Sequence, residues 1–347
     1  MKELEKLPIP IMGWYEQNAR DLPWRREPTP YHVLVSEIML QQTRVAAVLG
    51  YYARFMEALP TVEDLAACPE DELMKLWQGL GYYSRARNLR RSAQQIVADH
   101  GGVFPRDYDA IRALPGVGDY TAGAISSIAF GLPEPAVDGN VLRVVTRLTA
   151  DGRDVTRPET KRAVTDSLRQ IMPVSTPGKF NQALMELGAT VCLPNGAPLC
   201  DRCPVRDLCA AHRAGEEARY PVKPPKKARR VEERAVWLIF RAGRVALRRR
   251  PGKGLLAGLW EYPNDLAPCP CPVEGETELA GTGKHIFTHI EWHMTAFRVF
   301  PPTDGLPEGW VWAGREELET RYAVPSAFRS FREAVDEGLA RSGREGD

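Results

Sequence analysis

Residues 114–141 read LPGVGDYTAGAISSIAFGLPEPAVDGNV. The stretch opens with a turn, Leu114-Pro115-Gly116-Val117-Gly118, whose two glycines are free to take positive φ and leave backbone N–H groups uncovered where a helix begins. Such a turn can hold a phosphate, and it can equally be an ordinary turn. Ala122, Ile125 and Ala129 fall at helical spacing, so a helix over Asp119–Phe130 is expected to lay one side on a core with its N-terminus free. Pro133 and Pro135 end it, and Asp138-Gly139-Asn140 then opens an apolar helix through Val141, Val144, Val145 and Leu148. An aspartate in that place is a helix N-cap, or a carboxylate delivered to the neighbourhood of a phosphate grip.

The chain is 347 residues long, which suits two domains better than one core. Its formal net charge is +1 and its pI about 7.6, so any nucleic-acid footprint is local. The N-terminus mixes charges and prolines without an apolar core region, so no signal peptide is expected, and no apolar run reaches membrane length. Seven cysteines without an export signal point to a reducing compartment, where clustered cysteines bind metal more often than they pair. A cytoplasmic, nucleoid-associated protein with no membrane contact is the expectation.

Before residue 114 the pattern is helical. A first amphipathic helix ends near Arg20, and residues 21–26 read as a turn carrying Trp24, Arg25 and Arg26. A helix restarts at Pro30, with Leu34, Ile38 and Gln41 roughly one turn apart and Glu37 beside that row. A carboxyl drawn toward an apolar wall has its charged form disfavoured and can hold a proton to donate near neutral pH; on a solvated face it would be an ordinary glutamate. Residues 78–87, QGLGYYSRAR, set flat rings beside cations, which suits stacking on bases or a surface helix start with core tyrosines. Further helices are expected over residues 161–172 and 180–190, the latter packing Phe180, Ala183, Leu184 and Leu187 with Glu186 alongside. No strand-like alternation precedes residue 230.

Cys192, Cys200, Cys203 and Cys209 follow, with seven, two and five residues between them. Four thiolates within so short a span can close around one centre. Zinc knuckles usually present two C-x₂-C pairs, so a [4Fe–4S] cluster is the better fit.

With these motifs together, the chain resembles the adenine DNA glycosylases of the MutY type, in the endonuclease III superfamily. LPGVGDYTAGAI is similar to their helix-hairpin-helix (residues 113–120), VDGNV to the segment bearing the superfamily's aspartate, SEIMLQQT to the segment bearing the adenine enzymes' glutamate, and GLGYYSRARNL to their DNA-wedge loop. The first cysteine interval departs from the family by one residue, seven instead of the usual six, in a Pro- and Gly-rich loop that can bulge without moving the ligands. Bifunctional relatives place a Schiff-base lysine where Tyr120 stands here, so the resemblance implies a monofunctional hydrolase that uses water as the final nucleophile.

The resemblance implies the mechanism as well. Adenine leaves poorly until protonated, and scission leaves positive charge on the deoxyribose, so an acid on the base side and an anion on the sugar side are required. Glu37 would protonate the adenine and Asp138 would stabilise the oxocarbenium ion or its adduct, with Tyr120 and Asn140 orienting them. Arg25 and Glu186 would line the base pocket after the adenine is flipped from the duplex. Gln42, Thr43, Leu80 and Tyr82 would contact DNA or wedge the gap, Gly116 and Gly118 would hold phosphate, and Cys192, Cys200, Cys203 and Cys209 would carry the cluster.

The expected architecture is multi-domain: an all-α helix-hairpin-helix glycosylase domain (residues 1–218) with its iron–sulfur loop (192–209), a basic Pro-rich linker (219–233), and an α+β Nudix-like domain (234–347). The linker is either solvated or a strap that tracks the DNA backbone. In the last domain, strands are expected over residues 235–241, 244–248 and 287–300, and helices over 315–321 and 326–339. GKGLLAGLWEYP resembles the entry to a Nudix hydrolase fold, but the glutamate-rich metal-binding helix is missing, so a binding role without hydrolysis is expected. Phe287-Thr288-His289 is similar to the family loop that inspects 8-oxoguanine, with Thr where Ser is common; read without the family, His289 is a surface histidine. The expected partner is duplex DNA containing A:8-oxoguanine or A:G, bound by a monomer. Rival readings are an endonuclease III-type pyrimidine-damage glycosylase/lyase and a non-catalytic iron–sulfur DNA sensor.

Overall fold

The computed structural model describes residues 4–225 and 228–344. In chain order its helices are α1 (Pro8–Asn18), α2 (Pro23–Arg26), α3 (Pro30–Leu40), α4 (Val45–Ala58), α5 (Val62–Ala67), α6 (Glu70–Leu76), α7 (Ser84–His100), α8 (Tyr108–Arg112), α9 (Asp119–Phe130), α10 (Gly139–Thr149), α11 (Pro158–Ile171), α12 (Pro177–Thr190) and α13 (Ala210–Ala214). Strands β1 (Arg230–Arg241), β2 (Arg244–Arg249), β3 (Trp260–Glu261), β4 (Asn264–Leu266), β5 (Glu276–Ile286), β6 (Ile290–Phe300) and β7 (Trp310–Ala313) follow, then α14 (Arg315–Thr320) and α15 (Arg332–Arg344). Two compact units result. One is Met1–Ala67 with Asn88–Pro225; the other is Cys68–Arg87 with Lys226–Asp347.

The first unit is helical throughout its described residues. Its core joins Leu7 at the N-cap of α1, Ile11 of α1, Val144, Val145 and Leu148 of α10, Leu168 of α11, and Phe180, Leu184 and Leu187 of α12. Prolines at the first turns of α1, α2, α3, α11 and α12 start helices where the missing N–H costs nothing. The expected turn at residues 21–26 therefore contains a short helix. Helix α9 also differs from expectation. Every residue from Thr121 to Ser127 is buried, because Ala, Gly and Ser side chains are small enough for α3 and α12 to close on it from different sides.

The second unit is built on a sheet of order β3-β2-β1-β6-β5, with β4 also pairing β1 and β7 pairing β2. β1 and β6 run parallel and the other pairs antiparallel. Val236, Leu238 and Phe240 of β1 face Phe331, Val335 and Leu339 below α15, while Trp237 and Ile239 pack on Val299 across the other face, so β1 is buried on both sides. α15 approaches closely enough that a Cβ on Gly338 would meet the Phe240 ring at 2.3 Å.

One strand and three boundaries differ from the sequence reading. β1 begins at Arg230, inside the expected linker. β5 was not read at all: an edge strand carrying Glu, Thr, Gly and Lys, it buries too little to leave an apolar alternation. The expected strand over 287–300 starts only at Ile290, and residues 287–289 form the β5–β6 turn, closed by Phe287 N–H donating to Ile290 O at 2.8 Å. The last expected helix is a 3₁₀ turn over Ser326–Phe331 that continues into α15.

Residues 68–87, which the sequence reading leaves in the first domain, belong to this unit. Lys75 Nζ donates to Leu318 O (2.8 Å), Gln78 Nε2 to Val324 O (2.7 Å), and Arg87 bridges Glu70 and Ala257 O at 2.7 Å each. Among the described residues no helix stands between β3 and α14, where a Nudix hydrolase's glutamate helix would lie. No described helix is long and apolar enough to cross a membrane.

Candidate active site

Asp138, Asn140, Glu37 and Tyr120 come from α10, α3 and α9 and line one cleft of about 780 Å³, together with Arg25, Gln42, Thr43 and Glu186. The helix-packing pattern explains the convergence. α9 lies between α3 and α12, so the first turn of α9 is carried beside Glu37 in the third turn of α3.

Glu37 is only 6 % exposed, and its carboxyl accepts a hydrogen bond from the Tyr120 hydroxyl. Burial pushes its pKa up from 4.5 to about 7; the Tyr120 bond opposes this, and the charge of Asp138 adds to it. Burial and the neighbouring carboxylates hold the Tyr120 phenol well above its usual range, so it stays protonated and donates.

Asp138 is the N-cap of α10: Oδ1 accepts from Val141 N–H at 2.7 Å. Its Oδ2 accepts from Asn140 Nδ2 at 2.7 Å. The two sequence readings of this residue are therefore compatible, since capping fixes the carboxylate while leaving it in the cleft. Burial raises its pKa, with the Val141 and Asn140 donors and the Arg143 charge acting in the opposite direction. Of the two carboxyls Glu37 has fewer donors, and its pKa of about 7 lets it hold a proton near neutral pH.

Arg143, which the sequence reading passed over, is buried behind this pair. It donates to Asn140 Oδ1 (2.8 Å), Gly188 O (2.7 Å) and Cys192 O (2.7 Å), tying the site to the start of the cysteine loop. The signal was present in VLRVVTRL, where two arginines four residues apart interrupt an apolar helical run. Gly188 lets α12 approach: a Cβ there would lie 2.5 Å from Asn140 Cβ.

Glu186 is fully buried and saturated. Oε1 accepts from the Arg20 N–H (3.1 Å) and Nε (2.6 Å), and Oε2 from Arg20 Nη2 (2.9 Å) and Arg25 Nη2 (2.7 Å). These bonds, with the two guanidinium charges, hold its carboxyl below the usual range despite burial. Glu186 thus fixes two cations at the wall of the cleft. Arg20 is the second residue that sequence reading missed.

At the hairpin, Gly116 takes φ +78° against α7, where a Cβ would meet Asn88 Cβ at 2.6 Å. Gly118 does not use positive φ. It is extended (φ −101°) and serves as the N-cap of α9 with no side chain to satisfy the first-turn N–H groups. Gln42 and Tyr82 are non-glycine residues at φ +57° and +49°, a strained conformation that clusters at functional sites. Leu80 is buried at 7 % exposure, whereas Tyr82 is 47 % exposed and its hydroxyl lies 2.7 Å from Thr288 Oγ1. Thr288 and His289 are exposed; Phe287 is half-buried, edge-on to His285 and Trp292. Leu80, Tyr82, Phe287, Thr288 and His289 all lie in the second unit, outside the cleft.

The four cysteines of residues 192–209 line a single small pocket with Arg147, Arg206, His212 and Glu217. None is in a disulfide. Burial pushes the Cys200 thiol up to about 11 and Cys203 to about 12, and the neighbouring sulfurs add to both. A donor set whose thiolates repel one another in a closed pocket fits a polycationic centre. The additional residue of the first interval is absorbed in an exposed bulge, with Gly196 at φ +71° and Leu199 N–H returning to Val191 O. Cys200, His212 and Glu217 also present ligand atoms within 4.8 Å of one another, a trio that would leave three thiols unused.

Two family models match the chain: the HhH-GPD superfamily of base excision DNA repair proteins over residues 35–170, and the NUDIX domain over residues 235–334. The adenine DNA glycosylase of Rattus norvegicus is 40 % identical over 93 % of this chain and 77 % of its own length. This chain belongs to the adenine DNA glycosylases. The human adenine DNA glycosylase is 35 % identical, with 93 % of this chain and 72 % of that protein covered. Among solved structures, a thermostable thymine-DNA glycosylase superposes with TM-score 0.56 at 30 % identity, covering 61 % of this chain and 98 % of its own. An endonuclease III–DNA complex gives 0.52 at 26 %, over 61 % and 97 %. Adenine glycosylase activity and membership of the DNA repair enzymes follow from the family.

Proposed function

We propose that this enzyme hydrolyses the N-glycosidic bond of adenine paired with 8-oxoguanine or guanine in duplex DNA, with Glu37 as general acid and Asp138 as the anion facing the sugar. The observation that carries this reading is the buried Glu37 carboxyl, poised at about 7 by burial and held by Tyr120 in the same cleft as the capped Asp138. A flipped adenine entering the cleft would take the proton from Glu37, which makes the base a neutral leaving group. Asp138, held by Val141 N–H and Asn140, would stabilise the positive sugar as the bond lengthens. Tyr120 carries no amine, so water completes the reaction and the strand stays uncut. Arg25, fixed by Glu186, bounds the base pocket. Gln42 and Tyr82 would each contact DNA, the Phe287-Thr288-His289 turn would inspect 8-oxoguanine, and the α9 N-terminus at Gly116–Gly118 would take a backbone phosphate.

Cys192, Cys200, Cys203 and Cys209 would hold a [4Fe–4S] cluster, which supplies a compact cationic crosslink for the loop. The protein would act as a monomer on cytoplasmic, nucleoid-bound DNA. The test is base release under single turnover from A:8-oxoguanine, A:G and thymine-glycol duplexes. Release of adenine from the first two without borohydride trapping is expected. Thymine-glycol release with strand cleavage would point to the lyase chemistry of endonuclease III, and failure to release any base would leave DNA binding alone.

A further inference from the structure

Asp138 stands at the end of a proline-containing connection, residues 131–137, whose geometry is set from outside the connection. On its C-terminal side the aspartate is fixed by its own cap bond to Val141 N–H. On its N-terminal side the backbone meets Asn181, a completely buried residue of α12 with no part in the cleft lining. Asn181 Oδ1 accepts from Ala136 N–H at 3.1 Å, two residues before Asp138. Its Nδ2 donates to Glu134 O at 2.8 Å and to Ser127 Oγ of α9 at 2.7 Å. Ser127 Oγ in turn donates to Gly123 O at 2.7 Å. The donors and acceptors of the amide are consistent only in this orientation, because a backbone N–H faces one end and two acceptors face the other.

The connection also leans directly on α9. A Cβ on Gly123 would lie 2.2 Å from Pro135 O, and one on Gly178 of α12 would lie 2.6 Å from Ser127 O. Both glycines thus mark places where backbones touch, and Asn181 sits at the junction of α9, α12 and the connection.

We infer that Asn181 is a positioning residue for adenine excision: it clamps the backbone of residues 134–136 so that the Asp138 carboxylate is held in register with Glu37 across the cleft. This rests on the assignment of Asp138 above. Loss of the clamp would leave the Ala136 N–H unpaired in the interior, remove the donor to the partly exposed Glu134 O, and release the stem of Asp138 toward new partners. A displacement of about 1 Å at a reacting group can cost on the order of a hundredfold in rate.

The test uses the full-length protein as Asn181→Ala, Ser127→Ala and Asp138→Asn. Single-turnover adenine release is followed from pH 5.5 to 9, and affinity is measured on a duplex carrying the hydrolysis-resistant 2′-fluoro-2′-deoxyadenosine. Asn181→Ala is expected to slow release by about ten- to a hundredfold with affinity changed less than threefold. The alkaline limb of its pH profile should move to lower pH, because Asp138 no longer faces Glu37. Ser127→Ala removes one bond of the clamp and leaves its helix intact, so it should show the same shift in smaller measure, and it carries the test if Asn181→Ala does not fold. Wild-type rates and an unmoved limb in folded Asn181→Ala, or in Ser127→Ala alone, would overturn the clamp. So would a rate loss matched by an equal loss of affinity with the limb unmoved. If Asp138→Asn itself released adenine at the wild-type rate, the assignment of Asp138 would fail instead.

Discussion

Substituting Glu37 by Gln should stabilise the enzyme while abolishing its chemistry, and the gain should depend on pH. The buried carboxyl has its pKa raised from 4.5 to about 7. A raised folded-state pKa means that the protonated form is the one the fold prefers; the associated stability is fully present below about pH 4.5 and is lost as pH rises through about 7. At about 1.4 kcal/mol for each pH unit, ionising Glu37 costs the folded state on the order of 3 kcal/mol above pH 7. Glutamine cannot ionise, fills the same volume, and presents an amide oxygen to the Tyr120 hydroxyl. In urea unfolding followed by helix circular dichroism, Glu37→Gln is therefore expected to exceed wild type by roughly 3 kcal/mol at pH 8.5 and by under about 1 kcal/mol at pH 5. In thermal scans that corresponds to roughly 6–12 °C at the higher pH for a unit of this size. An equal effect at both pH values, or destabilisation at pH 8.5, would refute the burial argument. A catalytic group that weakens its own fold is the trade expected where a site is tuned for reaction.

Other substitutions test separate parts of the site. Gly188→Ala would force a Cβ into Asn140; adenine release should fall by at least tenfold with near-normal DNA affinity, and an unchanged single-turnover rate would mean that Asn140 needs no fixed position. Protein purified anaerobically should carry about four irons and acid-labile sulfide per chain, and Cys203→Ser should lose them; stoichiometric zinc without sulfide would favour the Cys200, His212 and Glu217 trio instead. Thr288→Val and His289→Ala in the full-length chain should lower the ratio of A:8-oxoguanine to A:G excision rates, by roughly tenfold for a lost base contact, measured at one salt concentration. An unchanged ratio would place lesion reading elsewhere. Point variants suit this question better than truncation, because residues 68–87 pack within the same unit as residues 226–347.

The sequence showed the helical first unit plainly, since its apolar spacing and helix-starting prolines are local signals. It also carried the residues that converge on the cleft, but their meeting was legible only through resemblance: Glu37 and Asp138 are a hundred residues apart in the chain, and their burial depends on helices α9 and α12. Arg20 and Arg143 were missed for the same reason. An arginine free in solvent and one held by acceptors look alike until those acceptors, Glu186 for the partly exposed Arg20 and the Gly188 and Cys192 carbonyls for the buried Arg143, are in place. Gly118 was misjudged because a glycine before a helix can serve by lacking a side chain, without needing positive φ. Strand β5 escaped because an edge strand with little to bury leaves no periodic apolar mark. Nor could local pattern show that residues 68–87 join the second unit, an association made by backbone carbonyls of Ala257, Leu318 and Val324.

The central claim is that a neutral Glu37, poised by burial and faced by Asp138, delivers the proton that frees adenine. The pH dependence of single-turnover adenine release by the wild-type enzyme tests it most directly. On the acid side of neutrality the rate should be level on this limb, turn near pH 7, and fall about tenfold for each further unit as Glu37 ionises, with Glu37→Gln inactive throughout. A wild-type rate that stays flat from pH 6 to 9, or a Glu37→Gln variant that releases adenine at a comparable rate, would contradict it.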